Sequence, residues 1–176
     1  MLRLLLVIAA LATLTLPALA RELPARTPGL WEFATTTDQT GPAARRLNRV
    51  VKKCISAALD QEWWLRDLGG FSKKEIYDPC PPALIRSREG TITSENICRF
   101  GRFNYNTQIT VRGDFARDYT TIMIVHVEDA GEPTFRLAPR QHTVTTVARY
   151  LGACAADQRP GDLIDRDGKI IHLLSE

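Results

Sequence analysis

The sequence predicts a mainly β (α+β) domain: an antiparallel, mostly meandering sheet, curled and packed against one helix and stapled by two disulfides. Three observations carry this. Phe103, Tyr105, Thr107, Ile109 and Val111 alternate with Asn104, Asn106, Gln108, Thr110 and Arg112, the period-two pattern of a strand with one buried and one wet face. Turn residues separate several other β-branched and aromatic runs at short intervals. Only Ala57 to Leu68 has the spacing and flanking residues of a well-bounded helix.

Met1-Leu2-Arg3, the apolar stretch Leu4 to Leu16 and Ala18-Leu19-Ala20 form a basic n-region, an h-region and a small-x-small cleavage signal. Leu4 to Ala20 falls short of the roughly 20 residues that span a bilayer comfortably. Residues 1–20 therefore read as a secretory signal peptide and Arg21 to Glu176 as one exported β-rich domain. No Cys follows the cleavage point directly, so no lipid anchor is expected; nor is a membrane span expected once the leader is removed.

Beyond the leader, Gly29 to Thr37 reads as the first strand, with Trp31 and Phe33 alternating toward the core, and Asp38 to Pro42 as its turn. Leu47 to Ile55 makes a second strand. Ser56 is placed to cap the helix that follows, and Gly69-Gly70 to stop it. At 100° per residue Ala57, Ala58, Trp64, Leu65 and Leu68 share one side, which should pack on the sheet. Leu59 and Trp63 lie on a different side, among Asp60, Arg66 and Asp67. They are a candidate ligand-binding patch unless a neighbouring loop covers them.

Leu84 to Ser87 and Thr91 to Asn96 read as a hairpin joined by Arg88-Glu89-Gly90, with Gly at the left-handed position. After Phe103 to Arg112, Gly113-Asp114 breaks the pattern. Tyr119 to Val127 is almost continuously apolar, as a central strand covered on both sides would be. Thr143 to Leu151 supplies a further strand, and Asp167-Gly168 turns a last hairpin between Leu163-Ile164 and Ile170-Ile171.

The chain has four cysteines, Cys54, Cys80, Cys98 and Cys154. In an oxidising compartment an even number reads as disulfides. Zinc is disfavoured, because no two have the short spacing of a structural zinc site and the three histidines are scattered. A three-residue hairpin loop sets Ser87 opposite Thr91, and the same register sets Cys80 opposite Cys98 within bridging distance. Cys54 and Cys154 pair by elimination.

The formal charge is +3, one unit of it from the leader's Arg3. That mild basicity lacks the clustered footprint of a nucleic-acid binder. The run Arg45, Arg46, Arg49, Lys52 and Lys53 reads as a solvated strand face or an edge guard. No nucleophile elbow, metalloprotease helix or phosphate loop is present, so no catalytic residue, cofactor or metal is assigned. Carboxylate pairs such as Glu62 and Asp67 are of the kind any surface carries. His126 and His142 read as strand residues.

Pro28-Gly29-Leu30-Trp31-Glu32, Gly113-Asp114-Phe115, Tyr119-Thr120, and Leu151-Gly152-Ala153-Cys154 with Arg159-Pro160-Gly161-Asp162-Leu163 together resemble a bacterial family of small exported proteins, the domain of unknown function 3617 family. Cys54, Cys80 and Cys98 also fall where that family has cysteines. The resemblance implies a periplasmic protein of the cell envelope and brings no activity, substrate or site residue.

The leading functional expectation is a non-enzymatic binding or envelope-maintenance module, holding a small apolar ligand or an envelope component in a concave sheet. The competing one is an extracytoplasmic hydrolase or enzyme inhibitor. A dry apolar concavity favours the first, and converging carboxylates or a His beside a Ser or Thr favour the second.

Overall fold

The computed structural model describes residues 23–40, 45–68, 81–131, 137–138 and 140–172. The elements run β1 (Gly29–Gln39), β2 (Arg45–Ile55), α1 (Ala57–Asp67), β3 (Leu84–Arg88), β4 (Thr91–Phe100), β5 (Phe103–Asp114), β6 (Asp118–Asp129), β7 (Arg140–Gly152), β8 (Asp162–Ile164) and β9 (Ile170–His172). The strands form one antiparallel sheet in the order β3-β4-β5-β6-β7-β1-β2-β8-β9, not closed on itself, with β3 and β9 as its edges among the described residues. The five central members of the chain, β3 to β7, are a meander; the β1–β2 hairpin then adds to β7, and β8–β9 to β2.

Alternation decides what each strand buries. On β5, Ile109 and Val111 are buried while Asn106 and Gln108 are exposed. The same inward face continues through Ile92 on β4, Tyr119 on β6, Ala148 on β7 and Phe33 and Val51 on β1 and β2, all in one core cluster with Trp64 of α1 and Leu68 at its C-cap. Val111 on β5 and Leu163 on β8 line the same cavity, although five strand spacings separate them. On a flat sheet that is about 24 Å. The sheet is therefore concave toward α1.

Two glycines of the motif segments have steric roles. Gly29 has φ +141, and a Cβ there would lie 2.3 Å from the Gly152 carbonyl oxygen, beside the register shift where β7 bulges against Leu30 and Trp31. Gly113 has φ +146, and a Cβ would lie 2.5 Å from the Asp118 carbonyl oxygen across the β5–β6 turn.

Four expectations need correction. The β3–β4 loop has two residues, not three: Arg88 pairs with Thr91, and Glu89 (φ 42) and Gly90 (φ 72) make the turn. Ser87 thus faces Ile92, and the register that put Cys80 opposite Cys98 is off by one. Among the described residues one disulfide is seen, Cys54–Cys154, with Cα atoms 5.7 Å apart. Cys98 is also disulfide-bonded, and Cys80, its expected partner, lies outside the described residues.

The helix buries Asp60, Trp63, Trp64 and Leu68, whereas Ala57, Ala58 and Leu65 are exposed. Ser56 has the extended backbone of a cap, but its side chain makes no capping hydrogen bond. The Gly69-Gly70 stop lies outside the described residues. Finally, β6 is covered on one face only, since Ile122 on its outer face is 43% exposed. Its continuous apolarity reflects β-propensity on the wet side as well as burial on the dry one.

Candidate functional site

The segment before β1 has no regular structure and lies across α1, bound to it by hydrogen bonds. Trp64 Nε1 donates to the Pro24 carbonyl oxygen at 2.9 Å, and Gln61 Nε2 to that of Leu23 at 3.0 Å. Arg26 is the pin. Its backbone N–H donates to Asp60 Oδ2 at 2.9 Å and its Nε to Asp60 Oδ1 at 2.6 Å. Its Nη1 reaches the Tyr119 hydroxyl oxygen at 2.9 Å and Asp67 at 3.3 Å, and its guanidinium lies 4.3 Å from the centroid of the Trp64 ring. Burial opposes the Arg26 charge, but Tyr119, Asp67 and Asp60 outweigh it and hold the guanidinium more firmly protonated than usual. Burial pushes the Tyr119 phenol up to about 12, against the pull of Arg26.

Lys53 extends this network along the inward face of β2. Its Nζ lies 4.3 Å from the Trp63 ring centroid, 4.9 Å from that of Phe33 and 3.7 Å from Asp67 Oδ1. Burial lowers its pKa, and Asp67 offsets part of that. Trp63 is thus 5% exposed beneath a cation, and Leu59 is half-buried. Neither lines the cavities described next.

Two adjoining cavities occupy the inward face of the sheet, the first of them beside α1. The first, about 360 Å³, lies under Trp64 and Leu68 and is floored by Phe33, Val51, Val111 and Met123. The second, about 480 Å³, continues over Phe103, Tyr105, Val125, Val127 and Leu137. Met123 and Val144 line both. Each volume falls in the range of sites that hold small organic ligands. Between the apolar halves runs a polar band in register across four strands: Arg49 opposite Thr35 on β1, Thr35 opposite Thr146 on β7, Thr146 opposite Thr121 on β6. The Thr35 and Thr146 hydroxyls are 3.0 Å apart.

Sequence reading missed Arg26, Tyr119 and this band. The available signal was phase: Phe33-x-Thr35, Tyr119-x-Thr121-x-Met123 and Val144-x-Thr146-x-Ala148 each place a threonine on an otherwise apolar face.

Of the basic run on β2, Arg46 is exposed on the outer face, whereas Arg49, though exposed, shares the inward face with Lys53 and lines the first cavity. His126 is exposed, and His142 borders the second cavity. His172 Nδ1 lies 2.7 Å from Asp162 Oδ1, on the β8–β9 hairpin. Among the described residues no group of three or more His, Cys, Asp or Glu side chains could hold a metal ion, and no helix is long and apolar enough to cross a membrane.

The family model described as "Protein of unknown function (DUF3617)" matches residues 26–154. The chain belongs to the DUF3617 family. The match opens on Arg26, the pin of the segment over α1, and closes on Cys154, so the DUF3617 unit contains both the buried ion network and the long-range disulfide. No curated protein matches the sequence. Among solved structures, the monomer form of the M. tuberculosis PknI sensor domain aligns with 15% identity over 82% of this chain and 99% of that one, at a TM-score of 0.34. Similarity that slight carries no argument about this DUF3617 protein.

Proposed function

We propose that this DUF3617 protein is a non-enzymatic binding module of the bacterial periplasm, released from its leader at Arg21, that holds a small apolar ligand in the concave face of its sheet. One observation carries the reading: the two cavities share Met123 and Val144, so one trough with a largely apolar floor runs from beneath α1 to Val127 and Phe103. The helix end covers the first cavity from the side opposite the curved sheet, as in ligand sites formed at the mouths of small β folds. The Cys54–Cys154 bridge agrees with an oxidising compartment.

The neutral dye N-phenyl-1-naphthylamine tests it. Its fluorescence should rise on adding the oxidised protein and saturate at one dye per chain. Met123→Arg, which places a charge where the cavities meet, should abolish the rise while circular dichroism keeps the β signature. No saturable signal from the parent protein, or an undiminished one from Met123→Arg, overturns the reading. N-terminal sequencing of the periplasmic fraction checks release at Arg21, and a retained Met1 contradicts it.

A further inference from the structure

Resting on the reading of the trough as a ligand site, we propose that its ligand is a single-chain amphiphile with an anionic head group, the head held at the Arg49–Thr35–Thr146–Thr121 band and the tail lying over Met123 and Val144 toward Val127 and Phe103. Charge is the first argument. Arg26 and Lys53 are matched by Asp60 and Asp67. Arg49 lines the same cavity, and its side chain makes no ion pair or hydrogen bond with any described residue. The first cavity therefore has one positive charge in excess at its edge, which favours an anion over a neutral group there.

Hydroxyl geometry is the second. Where Thr35 and Thr146 share one hydrogen bond, one of their two hydroxyl protons remains available to a ligand. The Thr121 hydroxyl has no partner among the described residues, so it too can donate. A guanidinium and neighbouring hydroxyls are a donor set suited to the oxygens of a carboxylate or phosphate. The third argument is what flanks the band. Beyond the band, Met123, Val125 and Val127 on β6, Val144 on β7 and Tyr105 and Phe103 on β5 line the second cavity over a strand length that accommodates an extended acyl chain, with His142 and Arg140 only at its far β7 end. A free inorganic anion would use the band and leave the trough empty. A neutral lipid would fill the trough and leave Arg49 unmatched.

Displacement of the neutral dye from the full mature protein tests the proposal, with each competitor below its micelle-forming concentration. Laurate should compete about tenfold more strongly than the neutral glycerol monoester of the same acid, the difference expected for one charge-assisted contact. Arg49→Gln should bring the two within about twofold, each competition being referred to that variant's own dye affinity; Arg49 is exposed, so the variant should fold. Thr146→Val should weaken laurate and spare the neutral ester. Acetate and inorganic phosphate, which have no tail, should not displace the dye. Equal competition by laurate and its neutral ester, or a preference that survives Arg49→Gln, overturns the proposal even if dye binding stands. Binding to phosphatidylglycerol vesicles without binding to laurate also overturns it, by making the band a membrane-facing surface.

Discussion

Arg26 and Tyr119 stand 93 positions apart in the chain, yet the Arg26 Nη1 donates to the Tyr119 hydroxyl oxygen at 2.9 Å under the Trp64 ring. This contact joins the segment before β1, the helix and the centre of the sheet at one point. Trp64, Tyr119, Phe115 and Trp31 make a chain of ring contacts there, with centroids 5.3 to 5.8 Å apart. Because the helix presents two carboxylates to this point, its docking depends on a cation delivered from outside the helix.

Removing that cation should be costly. Arg26→Met leaves Asp60 buried without its ion partner, a loss of about 3–5 kcal/mol. The double variant Arg26→Met with Asp60→Leu removes both charges and should regain much of the loss. Urea midpoints of the two variants measure this. Equal midpoints for the single and double variants would show that packing, not the stranded carboxylate, sets the cost.

Tyr119 should resist ionisation. Its phenol is raised to about 12, so in alkaline titration followed by near-ultraviolet absorbance the parent protein and Tyr119→Phe should coincide through pH 10 to 11 and diverge only above. The sign for stability follows. A raised folded value means the unfolded chain ionises first, so the contribution is complete below about pH 10 and fades as pH rises toward 12. Divergence near pH 10 would contradict the buried environment.

Acid should act through two aspartates. Asp129 is held well below the usual carboxylate range, first by its ion pair with Arg102 and then by the Leu137 and Gly131 amides. Asp162 is lowered first by the Arg159 amide, with His172 adding to it against the opposing effect of burial. Groups with depressed folded values stabilise above the unfolded value, near 4, and that stabilisation is lost as pH falls below it. Thermal midpoints should drop between pH 5 and 2, and the drop should shrink in Asp129→Asn and Asp162→Asn. A parent protein insensitive to pH over that range would refute the assignment.

The Cys54–Cys154 bridge closes a loop with a sequence separation of 100 residues. In the chain-entropy account a loop of that size contributes about 4.7 kcal/mol. Replacing both cysteines with alanine should therefore lower the urea midpoint by a large fraction of the whole stability, itself about 5–15 kcal/mol. A change below about 1 kcal/mol would mean that the sheet alone restrains these strands.

The β-rich class, the meander and most strand limits were legible because alternation and turn residues are local signals, as at Phe103 to Val111 and Asp167-Gly168. The helix was legible in extent but not in orientation. Asp60 and Trp63 turn inward because Arg26 and Lys53 meet them there, and those partners come from residues far away in sequence. The hairpin register failed at Glu89, which takes a left-handed conformation that Asn or Asp would advertise and Glu does not. The threonine band was hidden because threonine suits strands wherever it points. Two glycines of the family motifs, Gly29 and Gly113, sit where a Cβ would strike backbone, a role that the motifs alone did not reveal.

The first strand of the chain lies between β7 and β2, in the interior of the sheet. A polypeptide emerging N-terminus first would thus present β1 and β2 as a hairpin with an unsatisfied ladder edge until residue 152 arrives. The β3–β7 meander can form from neighbouring contacts, but its union with β1 joins positions more than a hundred residues apart. Long-range pairing of this kind slows folding and leaves a strand edge open to wrong partners in the meantime. During biogenesis the seam between β1 and β7 is where a chaperone would find this chain incomplete.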